Sequence, residues 1–253
     1  MSKQTDYLNK YIKEILLPVA QEDGFFLHKP KELIRINEPF IDIISFQLSQ
    51  YGSRDFHIHY YKNLLSNPLL NIHAYTVGFR LSDNRANDDT DWCGAEEDQT
   101  KQAIESVLNA YNYTISPWFQ NVNSVAHYIY EKASNPQTLS LSDFDSAIAF
   151  AEGGKRDKAL WMFTKIVDSD IPDGVEDDTK EFLNQQKQAC QKYLEVDEVE
   201  SYSRMTGENT DRKLLDALSQ FPAPATDIKN IDELLKVWKE RNIEKFKLSK
   251  YFA

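Results

Sequence analysis

His57 and His59 form an HxH pair, His57-Ile58-His59, inside a run with strand periodicity. Alternate side chains leave a strand on the same face, so the two imidazoles project together. With His73 or His28 as a further nitrogen donor, this spacing approaches a three-histidine metal site. A plainer reading competes with it. His73 shares its alternation with Tyr75, Val77 and Phe79, the pattern of a half-buried core, and no carboxylate is spaced as a fourth ligand or base. On that reading the histidines are surface or hydrogen-bonded groups, and neither metal nor cofactor is expected.

Other chemistries find less material. There is no GxSxG elbow, and neither Cys93 nor Cys190 has a local setting that marks an activated thiolate. Two isolated cysteines with no CxxC read as reduced cytosolic thiols rather than as a disulfide framework or zinc site. Gly153-Gly154-Lys155 is followed by Arg156 and lacks the earlier glycine and preceding strand of a phosphate loop, so it reads as a turn between helices. With 8 glycines in the chain there is little to build such loops from. The expectation is a protein that is not an enzyme.

Charge is more informative. Forty acidic against 29 basic residues give a net charge of −11, which argues against nucleic acid as the main partner. The acid concentrates in two tracts, Asp83 to Asp98 and Asp168 to Glu181. One reading makes them solvated loops that keep the protein soluble. The other makes them an anionic surface that steers a basic partner protein onto the chain. On that second reading Asp88, Asp89, Asp91, Trp92, Glu96 and Glu97 carry one part of the contact, and Asp173, Glu176, Asp177 and Asp178 the other. Glu96, Glu97 and Asp98 also fall near a helix N-terminus, where negative charge is stabilising in any case.

The elements that position these residues follow from periodicity. Leu8, Tyr11, Ile12, Ile15, Leu16 and Val19 predict an amphipathic helix over 5–23, ended or kinked by Pro18, with Gly24 after its last turn. Short strands are expected at Phe25 to His28 and Leu33 to Asn37. In Phe40 to Gln50, Phe40, Ile44, Phe46 and Leu48 share one face, interrupted only by Asp42, and Ile41 and Ile43 lie opposite, so the start of this strand is covered on both sides. Phe56, Ile58 and Tyr60 continue the apolar face on the next strand, and Ile72 to Leu81 supplies another. Short links favour an antiparallel meander.

From there the pattern is helical. Ala103, Ile104, Val107, Leu108 and Tyr111 mark a helix ending before Pro117, and Val122 to Tyr130 mark another. Tyr111, Tyr113, Trp118, Phe119, Tyr128 and Tyr130 either pack helices on the sheet or line a groove for a partner. Asn135-Pro136-Gln137 reads as a domain boundary, followed by a weak capping box at Ser142 and Asp145. Helices are expected over 143–152, 155–169 and 178–197, with a short one near 210–221 and a last one capped by Asn230 and Glu233. Ala147, Phe150, Gly154, Ala159 and Phe163 have the spacing of a single tetratricopeptide-like hairpin, but the next 34 residues do not repeat it, so one helical hairpin is expected rather than a peptide-binding array.

Three segments together resemble the bacterial domain family of unknown function 4304. They are the amphipathic helix leading to Gly24-Phe25, the strand Ile41 to Gly52 (IDIISFQLSQYG), and Pro117-Trp118-Phe119 with its following helix (PWFQNVNSVAHYIYE). The resemblance covers about residues 5–133 and brings no catalytic residues with it. By analogy with small acidic bacterial proteins it implies a toxin-immunity role.

The expectation is therefore an α+β domain over 1–135, an antiparallel sheet flanked by helices, followed by an all-α helical-hairpin domain over 136–253. Its function is expected to be non-enzymatic binding of a basic protein, as an immunity protein neutralises a toxin. The alternatives are a metal- or small-ligand-binding domain or enzyme using the His57/His59 face, and a helical interaction scaffold. The polar N-terminus carries no secretion signal, and no apolar run is long enough to span a bilayer, so a cytoplasmic protein without membrane or nucleic-acid partners is expected.

Overall fold

Asp6 opens the first helix: its Oδ1 accepts the Asn9 amide at 3.1 Å and its Oδ2 pairs with Lys31 Nζ at 2.6 Å. This computed structural model describes residues 6–49, 55–73, 76–81, 92–134, 143–206 and 230–252. The expected caps and boundary at residues 135–142, the turn at residues 50–54, most of the first acidic tract and the short helix near 210–221 lie outside them.

The first helix runs as α1 (Tyr7–Tyr11), a π-helical turn (Ile12–Leu16) and α2 (Leu17–Glu22). Pro18 does not end it. The proline sits in the first turn of α2, directly after the wider π turn, whose shifted register lets the helix run on past a residue with no N–H to donate. The helix stops six residues later at Gly24 (φ +85°), with Gly24 N–H donating to Gln21 O and Phe25 N–H to Ala20 O. Only a residue without Cβ takes that left-handed conformation freely. Phe25 is thereby held in the helix-ending turn, and the first strand begins one residue later than expected.

Five strands follow, β1 (Phe26–Lys29), β2 (Glu32–Asn37), β3 (Phe40–Leu48), β4 (Phe56–Leu64) and β5 (Val77–Leu81), in the order β1-β2-β3-β4-β5. The β1–β2, β2–β3 and β4–β5 pairings are antiparallel. The meander is the one the short links predict. β5 is shorter than the alternation suggests, because Ile72 belongs to a turn whose carbonyl accepts the Tyr61 hydroxyl at 2.7 Å. At Gly78 the sheet is too tight for a side chain: a Cβ there would collide with Tyr61 Cβ and Tyr60 O.

One sheet face, with Leu33, Ile44, Phe46, Ile58 and Tyr60, packs into a single core with the first helix and with α3 (Glu97–Ala110) and α4 (Ser116–Asn121). Ile34, Ile41 and Ile43 on the opposite face are buried as well, as expected for a strand covered on both sides. α3 does not end before Pro117. It passes through a second π-helical turn (Tyr111–Ile115) into α4, with Pro117 again in a first turn. The same device thus carries two helices across a proline. The expected aromatic cluster divides accordingly. Tyr111, Phe119 and Tyr128 are core, Trp118 packs edge-on to Tyr60 and Phe79, and Tyr113 and Tyr130, the latter on α5 (Val125–Ser134), are exposed.

The chain forms two compact units. The first comprises Met1–Asn63, Ile72–Thr138 and Tyr251–Ala253, and the second Leu64–Asn71 and Leu139–Lys250. Helices α6 (Asp143–Glu152), α7 (Arg156–Asp168), α8 (Asp177–Thr206) and α9 (Ile231–Lys245) build the second unit. Buried Ala147, Ala151 and Ala159 occupy the α6/α7 hairpin, with Gly154 (φ +69°) in its turn, and the Phe163 and Tyr193 rings meet at 4.2 Å. Asn230 caps α9 through Glu233 N–H at 2.9 Å. Within this unit the buried Asn242 of α9 donates to Leu65 O and Asn67 O at 2.8 and 2.7 Å, fastening the 64–71 segment. Asp145 is drawn into the same network, accepting from Asn67 Nδ2 at 2.7 Å.

Candidate functional site

Asp42, read from sequence as an interruption of an apolar strand face, is the centre of a buried charge network. In the β2–β3 register Arg35 stands opposite Asp42. Its Nε and Nη2 both donate to Asp42 Oδ2, at 2.9 and 2.7 Å. Lys62 of β4 donates to Asp42 Oδ1 at 2.5 Å, and neither the Lys62 nor the Asp42 side chain is exposed. All three side chains lie on the helix-covered face. Arg35 lies over the rings of Phe25 and Phe119, and Lys62 over those of Phe40 and Phe119. Burial lowers the pKa of Lys62, with the Asp42 charge and hydrogen bond opposing the shift. Two cations on one carboxylate leave an extra positive charge inside a low-dielectric core, a costly arrangement unless the groups are fully hydrogen-bonded.

Arg35 also reaches outward. Its Nη1 donates to Asp23 O at 3.0 Å, at the end of α2. The Asp23 carboxylate is held in turn: Tyr111 and Ser116 hydroxyls both donate to its Oδ2 at 2.6 Å. Burial, reinforced by that hydrogen bond, raises the Tyr111 pKa well above its ordinary value, so this phenol stays protonated as a donor. Asp23 and Arg35 form part of the wall of a cleft of about 450 Å³, together with Asn37, Phe119 and Asn123. The helix end supplies Asp23, the sheet supplies Arg35 and Asn37, and α4 with its following turn supplies the rest.

A second polar cluster gathers at the β1–β2 hairpin. Buried Glu32 lies 3.1 Å from His73 Nδ1 and 4.0 Å from His28 Nε2. Lys29 Nζ contacts His73 Nε2 at 3.0 Å, and the Tyr251 hydroxyl contacts His28 Nδ1 at 3.2 Å. Burial raises the Glu32 pKa, and the charges of His73 and Lys29 oppose that shift.

These positions correct the three-histidine reading. His57 and His59 do share a face, but the third and fourth histidines turn to Glu32 instead. Arg80 of β5 contacts His57 and stands opposite His59 in the register. Burial first, then the charges of Arg80 and His57, lowers the His59 pKa. A guanidinium against these rings opposes a metal cation, and among the described residues no cluster of His, Cys, Asp and Glu suits a metal ion.

The expected partner-binding residues are also divided. Asp88, Asp89 and Asp91 lie outside the described residues. Trp92 is 8% exposed, bridges to Phe56 by two backbone hydrogen bonds and stacks on its ring, so it is a core residue rather than a surface anchor. Glu96 caps α3 through its carbonyl, which accepts both the amide and hydroxyl of Thr100. Glu97 is engaged by Lys10 Nζ at 2.9 Å and the Tyr11 hydroxyl at 3.0 Å, and these hydrogen bonds, Lys10 first, lower its pKa. Asp173, Glu176, Asp177 and Asp178 are all exposed, in the α7–α8 turn and the first turn of α8. On the same hairpin Trp161 is 61% and Phe182 47% exposed, two aromatic residues that the sequence pattern had not singled out. The only sequence signal for Trp161 is its place between the buried positions 159 and 162 of α7, on the side away from the core.

No helix among the described residues is long and apolar enough to cross a membrane. Comparison with curated proteins and with solved structures gives no match. The family model described as Domain of unknown function (DUF4304) does match, over residues 16–121. That span, in the N-terminal half of the chain, holds Asp23, Arg35, Asp42, Lys62, Tyr111 and Ser116.

Proposed function

We propose that this chain is a non-enzymatic, cytoplasmic binding protein that docks a basic protein partner, in the manner of an immunity protein occluding a toxin domain. The observation that carries the reading is the α7–α8 hairpin, where an exposed acidic turn and the exposed rings of Trp161 and Phe182 belong to one supersecondary unit. Exposed tryptophan is costly for solubility and is the side chain most enriched at binding hot spots. Acid in the turn of the same hairpin speeds encounter with a basic surface and discriminates against acidic ones. The net charge of −11 acts in the same direction.

Co-expression with a toxic basic protein encoded beside this chain tests the reading. Protection of the host cell, with a complex that co-elutes from a sizing column, is the expected result. Neither protection nor complex would remove this function.

A further inference from the structure

Polar groups converge on the cleft beside Asp23 and Arg35 with bonding capacity to spare. Arg35 has five N–H donors. Its three hydrogen bonds, two to Asp42 and one to Asp23 O, leave one N–H on each terminal nitrogen. Both hydroxyls that reach Asp23 bond to Oδ2, which leaves Oδ1 for another donor. Asn37, Gln120 and Asn123 line the same space, and Phe119 and Ile36 are its apolar lining residues. The cleft is open to solvent and mostly polar in its lining, and its volume of about 450 Å³ is within the range of small-molecule sites.

The two charges select the ligand. A purely anionic molecule meets the Asp23 carboxylate, and a purely cationic one meets Arg35. We propose that the cleft binds a small zwitterion of the free amino-acid class, its carboxylate on the outward N–H groups of Arg35 and its ammonium on Asp23 Oδ1. The site is built before the ligand arrives. Arg35 is fixed by Asp42 below and by the Phe25 and Phe119 rings beside it, and Asp23 by Tyr111 and Ser116. Side chains already immobilised lose little entropy on binding. Lys62 acts through Asp42: by holding Oδ1 it directs Oδ2 to Arg35, and it is a positioning residue. Apart from Asn123, this site lies within residues 16–121, the span that the DUF4304 model matches, and it is independent of the docking role of the α7–α8 hairpin.

The test uses the full chain with the twenty proteinogenic L-amino acids as probes, by saturation-transfer NMR followed by calorimetric titration. At least one should bind with Kd below about 10 mM. Its N-acetyl and carboxamide derivatives, each lacking one charge, should each bind about tenfold or more weakly. Asp23→Asn keeps an acceptor for Tyr111 and Ser116, and Asn123→Ala changes only an exposed side chain; both variants should fold, and Asp23→Asn should lose the discrimination against the N-acetyl form. No binding by any of the twenty would overturn the proposal. So would binding that neither Asp23→Asn nor Asn123→Ala alters, or binding in which the blocked derivatives equal the free amino acid.

Discussion

Lys62 Nζ lies 2.5 Å from Asp42 Oδ1, and both side chains are wholly withdrawn from solvent. Removing the shared anion would leave Lys62 and Arg35 facing each other in the core. Asp42→Asn is therefore expected to cost about 3–5 kcal/mol of stability, the range for breaking one partner of a buried ion pair. The double variant Asp42→Asn/Lys62→Met, which removes the stranded charge as well, should recover much of that loss. Urea unfolding of the two variants measures the difference, and equal loss in both would show that the charge is not the cause.

A pH-dependent term follows from His59. Its folded-state pKa is depressed below the ordinary 6.5, first by burial and then by Arg80 and His57. The folded protein therefore binds fewer protons at this site than the unfolded chain. The stability that His59 contributes is fully present above pH 6.5 and is lost as pH falls through the depressed value. His59→Asn should flatten the stability profile in that window and leave it unchanged above. Thermal melts of wild type and variant across the window measure this; parallel profiles would refute it.

Gly78 stands opposite Tyr61 in the β4–β5 register, and a methyl group there meets Tyr61 Cβ and the Tyr60 carbonyl. Both neighbours are backbone or adjacent to it and have nowhere to move. Gly78→Ala should destabilise by about 1–3 kcal/mol or more, the range of overpacking in a tight core. A denaturation midpoint equal to wild type would show that the strands part easily.

The cysteines should differ in reactivity. Burial raises the Cys190 pKa to about 12, whereas Cys93 is half-buried, with its Sγ donating to Gln99 Oε1 at 2.9 Å. Thiolate is the reactive form. Under native conditions a thiol reagent should label Cys93 and leave Cys190 untouched until denaturant is added. Native labelling of Cys190, read by peptide mass spectrometry, would place it at a surface.

The fold was largely legible because the strands and helices carry clear periods: the alternation of Phe40, Ile44 and Phe46, broken only by Asp42, and the spacing of Ile104, Val107 and Tyr111 each name one buried face. The prolines misled for a physical reason. A π turn before Pro18 and another before Pro117 let the chain pass where an α-helix would stop, and no residue pattern announces such a turn. The charge network was half visible. Asp42 stood out against its apolar strand, but a lysine among tyrosines at Tyr60-Tyr61-Lys62 reads as an exposed edge until the register brings it to Asp42. Trp92 failed as a surface anchor because its tract is acidic while its own position pairs with Phe56. Trp161 was missed because a tryptophan in an amphipathic helix ordinarily belongs to the core.

The most direct measurement of the docking account is the association kinetics of this chain with a basic protein against which it protects in co-expression, at low and at physiological salt. Wild type should associate faster at low salt, because charges beyond a Debye length are screened as salt rises. The charge reversal Asp173→Lys/Glu176→Lys/Asp177→Lys should slow association, and Trp161→Ala should speed dissociation by the equivalent of about 2 kcal/mol or more. A complex whose rates are indifferent to salt, to the charge reversal and to Trp161→Ala would place the contact elsewhere on the molecule, and the absence of any complex would contradict the account outright.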